Sequence, residues 1–86
     1  MEYAVLVDVQ LREGIADPAG ATVERSLPAL GYQGISRVTV GKTVRFRIEA
    51  VDEEEARAVA EDLCATFLAN PVIEDAVVTV GPPEEA

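Results

Sequence analysis

The chain predicts an α+β sandwich with the element order βαββαβ, and three observations carry that prediction. Residues 3–11 and 36–50 alternate side chains with the period of two that half-buried strands need, and residues 73–80 read as a further short strand. Two segments between them, opened by Asp17-Pro18 and by Asp52-Glu53-Glu54-Glu55, carry apolar residues at helical spacing behind good N-caps. With 86 residues, 49% of them hydrophobic, there is material for one core in one domain, residues 1–80.

In the first strand Tyr3, Val5, Val7, Val9 and Leu11 make the apolar face, and Ala4, Leu6, Asp8 and Gln10 the other. Asp17 then caps a helix. Its carboxylate can accept from the free amides of the first turn, and Pro18 suits the first helical position because its missing N–H costs nothing there. Val23, Leu27 and Leu30 form an inward stripe, and Gly31 is placed to end the helix in the left-handed conformation. Pro28 cannot donate to Glu24 and crowds that carbonyl, so a kink or a non-α turn is expected near residues 24–28.

Ser36–Ala50 reads as a β-hairpin and as the centre of the fold. A three-residue turn, Gly41-Lys42-Thr43, pairs Val40 with Val44 and Val38 with Phe46 and keeps one face apolar throughout. The second helix starts at Asp52, with Glu55 completing a capping box and three glutamates at the positive end of the dipole. Ala56, Val59, Ala60, Leu63 and Phe67 line its inner side, and Asn70-Pro71 stops it. Residues 73–80 form the last strand, and residues 81–86 a flexible tail. This order suits a ferredoxin-like sandwich: a four-stranded antiparallel sheet, both helices on one face, the third strand central beside the first. The last strand is apolar on both faces (Ala76, Val78 and Val80; Ile73 and Val77), so one apolar set would stay wet in a monomer, and association is expected.

Composition excludes several activities. The net charge is −9, from 16 acidic against 7 basic residues, which repels phosphate backbones and argues against nucleic acid. The chain has no histidine, which removes Ser-His-Asp and Cys-His catalysis and most zinc sites. A single cysteine permits no internal disulfide, and with neither a secretory signal nor a membrane span the expectation is a cytoplasmic protein.

The remaining features have ordinary structural explanations. Cys64, late in a helix with no base, reads as a small apolar residue. Glu53, Glu54 and Glu55 point about 100° apart and do not converge on one metal ion. Gly41-Lys42 lacks the run of a phosphate loop. Arg37, Arg45 and Arg47 share a sheet face but no exposed aromatic on which a base would stack. No catalytic, cofactor-binding or metal-binding residues are expected in this chain alone.

Four stretches, taken together, resemble one family: Asp17-Pro18-Ala19-Gly20, Leu30-Gly31-Tyr32, Val38 to Lys42, and Leu68 to Asp75. They look like the signature of PurS, the small subunit of phosphoribosylformylglycinamidine (FGAM) synthase, over nearly the whole chain from Tyr3 to Val80. Ala16, Pro28 and Ala76 depart from the usual pattern at packing positions. The resemblance implies a non-catalytic subunit of a purine-biosynthetic ligase. In such an enzyme a PurQ glutaminase releases ammonia from glutamine. A PurL synthetase uses ATP and Mg to convert formylglycinamide ribonucleotide to the amidine. The small subunit, a dimer or tetramer, bridges the two and supports ammonia transfer. The contact residues expected at motif positions are Asp17, Gly41, Lys42, Asn70, Pro71, Glu74 and Asp75. Lys42 has no structural duty legible in the sequence, whereas a helix stop accounts for Asn70-Pro71 as well as an interface does.

Two other readings remain at this point. A ferredoxin-like regulatory module would bind a small molecule between paired subunits and melt higher with its ligand. An acylphosphatase-like enzyme would need an anion-cradling loop with an arginine and a catalytic asparagine; Arg12-Glu13-Gly14 and Asn70 do not supply that pattern.

Overall fold

The structure is a computed structural model and describes residues 1–85; Ala86, the last residue of the expected tail, lies outside the described residues. Its elements are β1 (Glu2–Leu11), α1 (Pro18–Ser26), β2 (Lys42–Glu49), α2 (Glu53–Leu63) and β3 (Glu74–Gly81). Short helical turns at Pro28–Leu30, Cys64–Leu68 and Pro83–Glu85 complete it. The class is α+β, as the patterning requires, with two α-helices and an antiparallel sheet.

The sheet has three strands among the described residues, in the order β2-β1-β3, and not the expected four. β1 is therefore central and β2, the second arm of the expected hairpin, is an edge. The register is the one that keeps apolar faces together. Val7 stands opposite Val44 on one side and Val78 on the other, and Val5 stands between Phe46 and Val80. Val5, Val7 and Val9 are at most 1% exposed, and with Ala60 and Cys64 they form the core. Val44, Phe46, Ile48, Val78 and Val80 pack around it.

The hairpin at Ser36–Ala50 does not form, and neither Val38–Phe46 nor Val40–Val44 is a pair. The chain does not turn at Gly41. It runs straight through, and β2 begins pairing with β1 at Lys42 opposite Val9. Gly41 passes so close to β1 that an added Cβ would sit 2.6 Å from the Val9 carbonyl oxygen, which is why a glycine stands there. Continued in register, Val40 falls level with Leu11, the last residue of β1, and Thr39 lies beyond the strand. The amides of Val38 and Val40 are instead taken by side chains of α1. Glu24 Oε1 accepts from Val38 at 3.0 Å, and Asp17 Oδ2 accepts from Val40 at 2.9 Å. Arg37, at φ 58°, breaks the extended run just before them.

The first helix keeps its expected caps but not its expected place. Asp17 Oδ1 accepts from the Gly20 amide at 2.8 Å, and Gly31 ends the segment at φ 96°. Pro28 ends the α-helix at Ser26. The Leu27 amide reaches the Glu24 carbonyl that Pro28 cannot serve, and Pro28–Leu30 continues as a 3₁₀ turn. α1 contributes no residue to the core. The expectation that both helices lie on one sheet face thus holds for α2 only. Residues 12–41 form an arm standing off the body: β1 spans about 33 Å, whereas the longest molecular extent is 51 Å.

The second helix follows its capping chemistry. Asp52 Oδ1 accepts from the Glu55 amide at 2.8 Å. Glu55 reaches back one residue past the cap, accepting from the Val51 amide at 3.0 Å. The helix widens into a π turn at Cys64–Leu68, closed by Ala69 N–H to the Cys64 carbonyl, before Asn70-Pro71. β3 runs one residue past its expected end: Gly81, assigned to the tail from the sequence, pairs with Ala4. Residues 83–85 turn back toward β1.

Candidate functional site

The seven expected contact residues collect at one end of the sheet, where β1 finishes and both β2 and β3 begin. They fall into two groups on either side of β1. Asp17, Gly41 and Lys42 form the root of the arm; Asn70, Pro71, Glu74 and Asp75 form the corner between α2 and β3.

At the root, Asp17 is a clip. Its two carboxylate oxygens hold the Gly20 and Val40 amides, so one side chain fastens the start of α1 to the extended segment 38–40. These hydrogen bonds, Gly20 first and Val40 second, hold its pKa below the ordinary carboxylate value. Gly20 serves the same junction: a Cβ there would strike the Val38 carbonyl oxygen. Lys42 is exposed and makes no side-chain hydrogen bond or ion pair among the described residues. It is the one candidate at the root left without a structural task.

The corner is tied together by its own polar groups. Asn70 Oδ1 accepts from the Val72 amide at 3.0 Å, and the Asn70 carbonyl accepts from the Glu74 amide at 2.8 Å. Glu74 Oε1 returns the bond, accepting from the Asn70 amide at 2.7 Å. Asp75 pairs with Arg12 Nε at 3.2 Å, and the Arg12 amide donates to the Ile73 carbonyl at 2.8 Å. Asn70, Glu74 and Asp75 thus build the turn that starts β3. Pro71 joins Arg12, Cys64, Glu61 and Ala69 around a shallow open hollow.

Two residues that sequence reasoning did not select matter here. Arg12 lies where β1 ends, opposite the acidic start of β3, and that opposite charge was the available signal. Glu24 binds a backbone amide 14 residues away; no local pattern announces it.

The Cys64 thiol is held above its ordinary pKa, chiefly by burial and secondly by the Glu61 charge, which suppresses the thiolate a nucleophile would need. Among the described residues no group of three or more histidine, cysteine or acidic side chains could hold a metal ion. No helix among them is long and apolar enough to cross a membrane.

Comparison with known proteins places this geometry. The family model described as PurS, phosphoribosylformylglycinamidine (FGAM) synthase, matches residues 4–82. The PurS subunit of Synechocystis is 41% identical over 73 residues, covering 85% of this chain and 73% of that protein. That of Mycobacterium leprae is 43% identical over 75 residues, covering 86% and 90%. Among solved structures, the PurS subunit of Thermotoga maritima superposes with a TM-score of 0.85 at 31% identity, covering 93% of this chain and 92% of that one. A chain in the structure of PurLQS from Thermotoga maritima also reaches 0.85, at 30% identity, covering 93% and 98%. A cap, two close-approach glycines and a self-bonded turn thus stand where the motif residues were singled out, and the chain belongs to the PurS family, the small subunits of FGAM synthase in purine biosynthesis.

Proposed function

We propose that this chain is the non-catalytic bridge of its synthase, holding a PurQ glutaminase and a PurL synthetase together so that ammonia passes from one to the other. The observation that carries this is the match in fold and length to a chain of PurLQS from Thermotoga maritima. The residue inventory supports it: a raised thiol pKa, no histidine and a motif spent on turns and clips leave surface contact as the chain's contribution. ATP and Mg belong, on this reading, to the synthetase subunit, and the complex works in the cytoplasm. The chain is itself homo-oligomeric, a dimer or tetramer, and the four-stranded ferredoxin-like sheet is completed only on association, when residues 36–41 gain a strand neighbour. The net charge of −9 suits basic partner surfaces.

The test is reconstitution. Glutamine-dependent amidine formation by the two large subunits should require this chain, and all three proteins should co-purify. A glutamine-dependent rate unaffected by omitting the chain would contradict the bridge. Lys42→Glu should fold normally, by circular dichroism and thermal midpoint, yet weaken co-purification with the large subunits. Unchanged recovery of the complex would remove Lys42 from the interface.

A further inference from the structure

The hollow beside Pro71 lies in the groove between the end of α2 and β3, an edge strand of the sheet. Its volume is about 290 Å³, well beyond what a bridging water fills. Small side chains leave the space: Ala65 and Ala69 from the turn after α2, Ala76 from β3, and the Cys64 thiol. Ala76 shares the inner face of β3 with Val78 and stands opposite the buried Val9, yet it is exposed. It occupies a core-facing position with nothing over it.

The rim is charged. Glu61, Glu74 and Asp75 stand around the hollow against a single guanidinium, Arg12. Two of these acids are occupied: Asp75 pairs with Arg12 Nε at 3.2 Å, and Glu74 Oε1 accepts from the Asn70 amide at 2.7 Å. The Glu61 carboxylate makes no hydrogen bond or ion pair among the described residues. Its charge reaches the floor nonetheless, since it is the second cause, after burial, of the raised Cys64 pKa.

An apolar floor beneath an unpaired carboxylate suits a long cation, whose methylenes cover the floor while its charged head stays at the rim. A neutral apolar side chain would desolvate Glu61 without pairing it, and an acidic one would be repelled. We infer that the hollow receives a lysine or arginine side chain of a large subunit of the synthase, its stem on Ala65, Ala69 and Ala76 and its head paired with Glu61. The internal bonds of the corner keep the hollow preformed, so docking costs little ordering. This rests on the bridging role, and it adds Glu61 and Ala65, which lie before the Leu68–Asp75 stretch, to the contact surface.

The alanine methyls of the floor give the test. A deuterated chain labelled on its alanine methyls, bound to protonated large subunits, should show nuclear Overhauser contacts from Ala65, Ala69 and Ala76 to large-subunit protons. Glu61→Lys should weaken binding to the large subunits about 30-fold or more, the scale of a disrupted desolvated charge pair. Ala65→Leu, which fills the space without changing charge, should weaken it about 10-fold. Asp62→Lys makes the same charge change one residue on, outside the hollow, and should weaken it by no more than about 5-fold. If Ala65→Leu does not fold, by circular dichroism and thermal midpoint, the methyl contacts in the unmodified chain decide. A three-protein complex in which these methyls touch no large-subunit proton overturns the hollow and leaves the bridge standing. Equal weakening by Asp62→Lys and Glu61→Lys does the same, because the partner is then held by the chain's overall negative field. Failure of the three proteins to associate at all overturns both.

Discussion

The body and the arm of this molecule carry the same kind of apolar patterning and reach opposite ends. In the body, Val5, Val7, Val9, Ala56 and Ala60 are at most 1% exposed, closed between the sheet and α2. In α1, by contrast, the only buried residue is Gly20, and the stripe that should have been core faces outward. Hydrophobic periodicity therefore states that a face wants cover without saying which chain provides it. The radius of gyration, 16.4 Å against about 12 Å for a compact domain of this length, is the global form of that difference.

Three substitutions and one pH series would break or sharpen the comparison. The largest effect belongs to the body. Val7→Ala leaves a cavity in the most buried position of the central strand and should cost about 2–3 kcal/mol, read from the urea midpoint at constant m-value. In the arm, Gly20→Ala pushes a methyl into the Val38 carbonyl and should cost about 1–3 kcal/mol. Its signature is local: faster amide exchange at Val38 and Val40 with the body's protection intact. Loss of protection in β1 as well would show that arm and body are one cooperative unit. Asp52→Ala removes the cap of α2 and should lower global stability by about 1 kcal/mol, with the far-UV spectrum otherwise retained. The smallest effect is protonic. The Asp17 pKa is depressed in the folded chain, so its contribution is complete above the ordinary carboxylate range and lost as pH falls through the folded-state value. Protection at Val40, corrected for intrinsic exchange, should fall in that acid window. In Asp17→Asn this pH dependence should vanish.

Much of the fold was legible because it is local. The N-caps at Asp17 and Asp52, the left-handed stop at Gly31 and the disturbance at Pro28 each depend on residues within a turn of one another, and each is where the sequence puts it. The apolar face of β1 was equally plain. The hairpin failed for a non-local reason. Residues 36–40 alternate as a strand should, but the amides of Val38 and Val40 meet the carboxylates of Glu24 and Asp17 at a distance in sequence that no turn rule covers, and in register all but Val40 lie beyond the end of β1. Gly41 is a glycine in either account, as turn or as close passage, so its presence could not choose between them. Of the candidate contacts, Asp17, Asn70, Glu74 and Asp75 are bonded within the chain and Gly41 is set by its close approach to β1, which leaves Lys42 and Pro71 as surface features.

Residue-resolved amide exchange, followed from dilute chain to assembled oligomer and then to the three-protein complex, tests the division between body and arm most directly. The account predicts protection in β1 and α2 that is the same throughout, and protection in α1 and residues 36–41 that rises only as chains associate. An arm as protected as the body in the dilute monomer would contradict it.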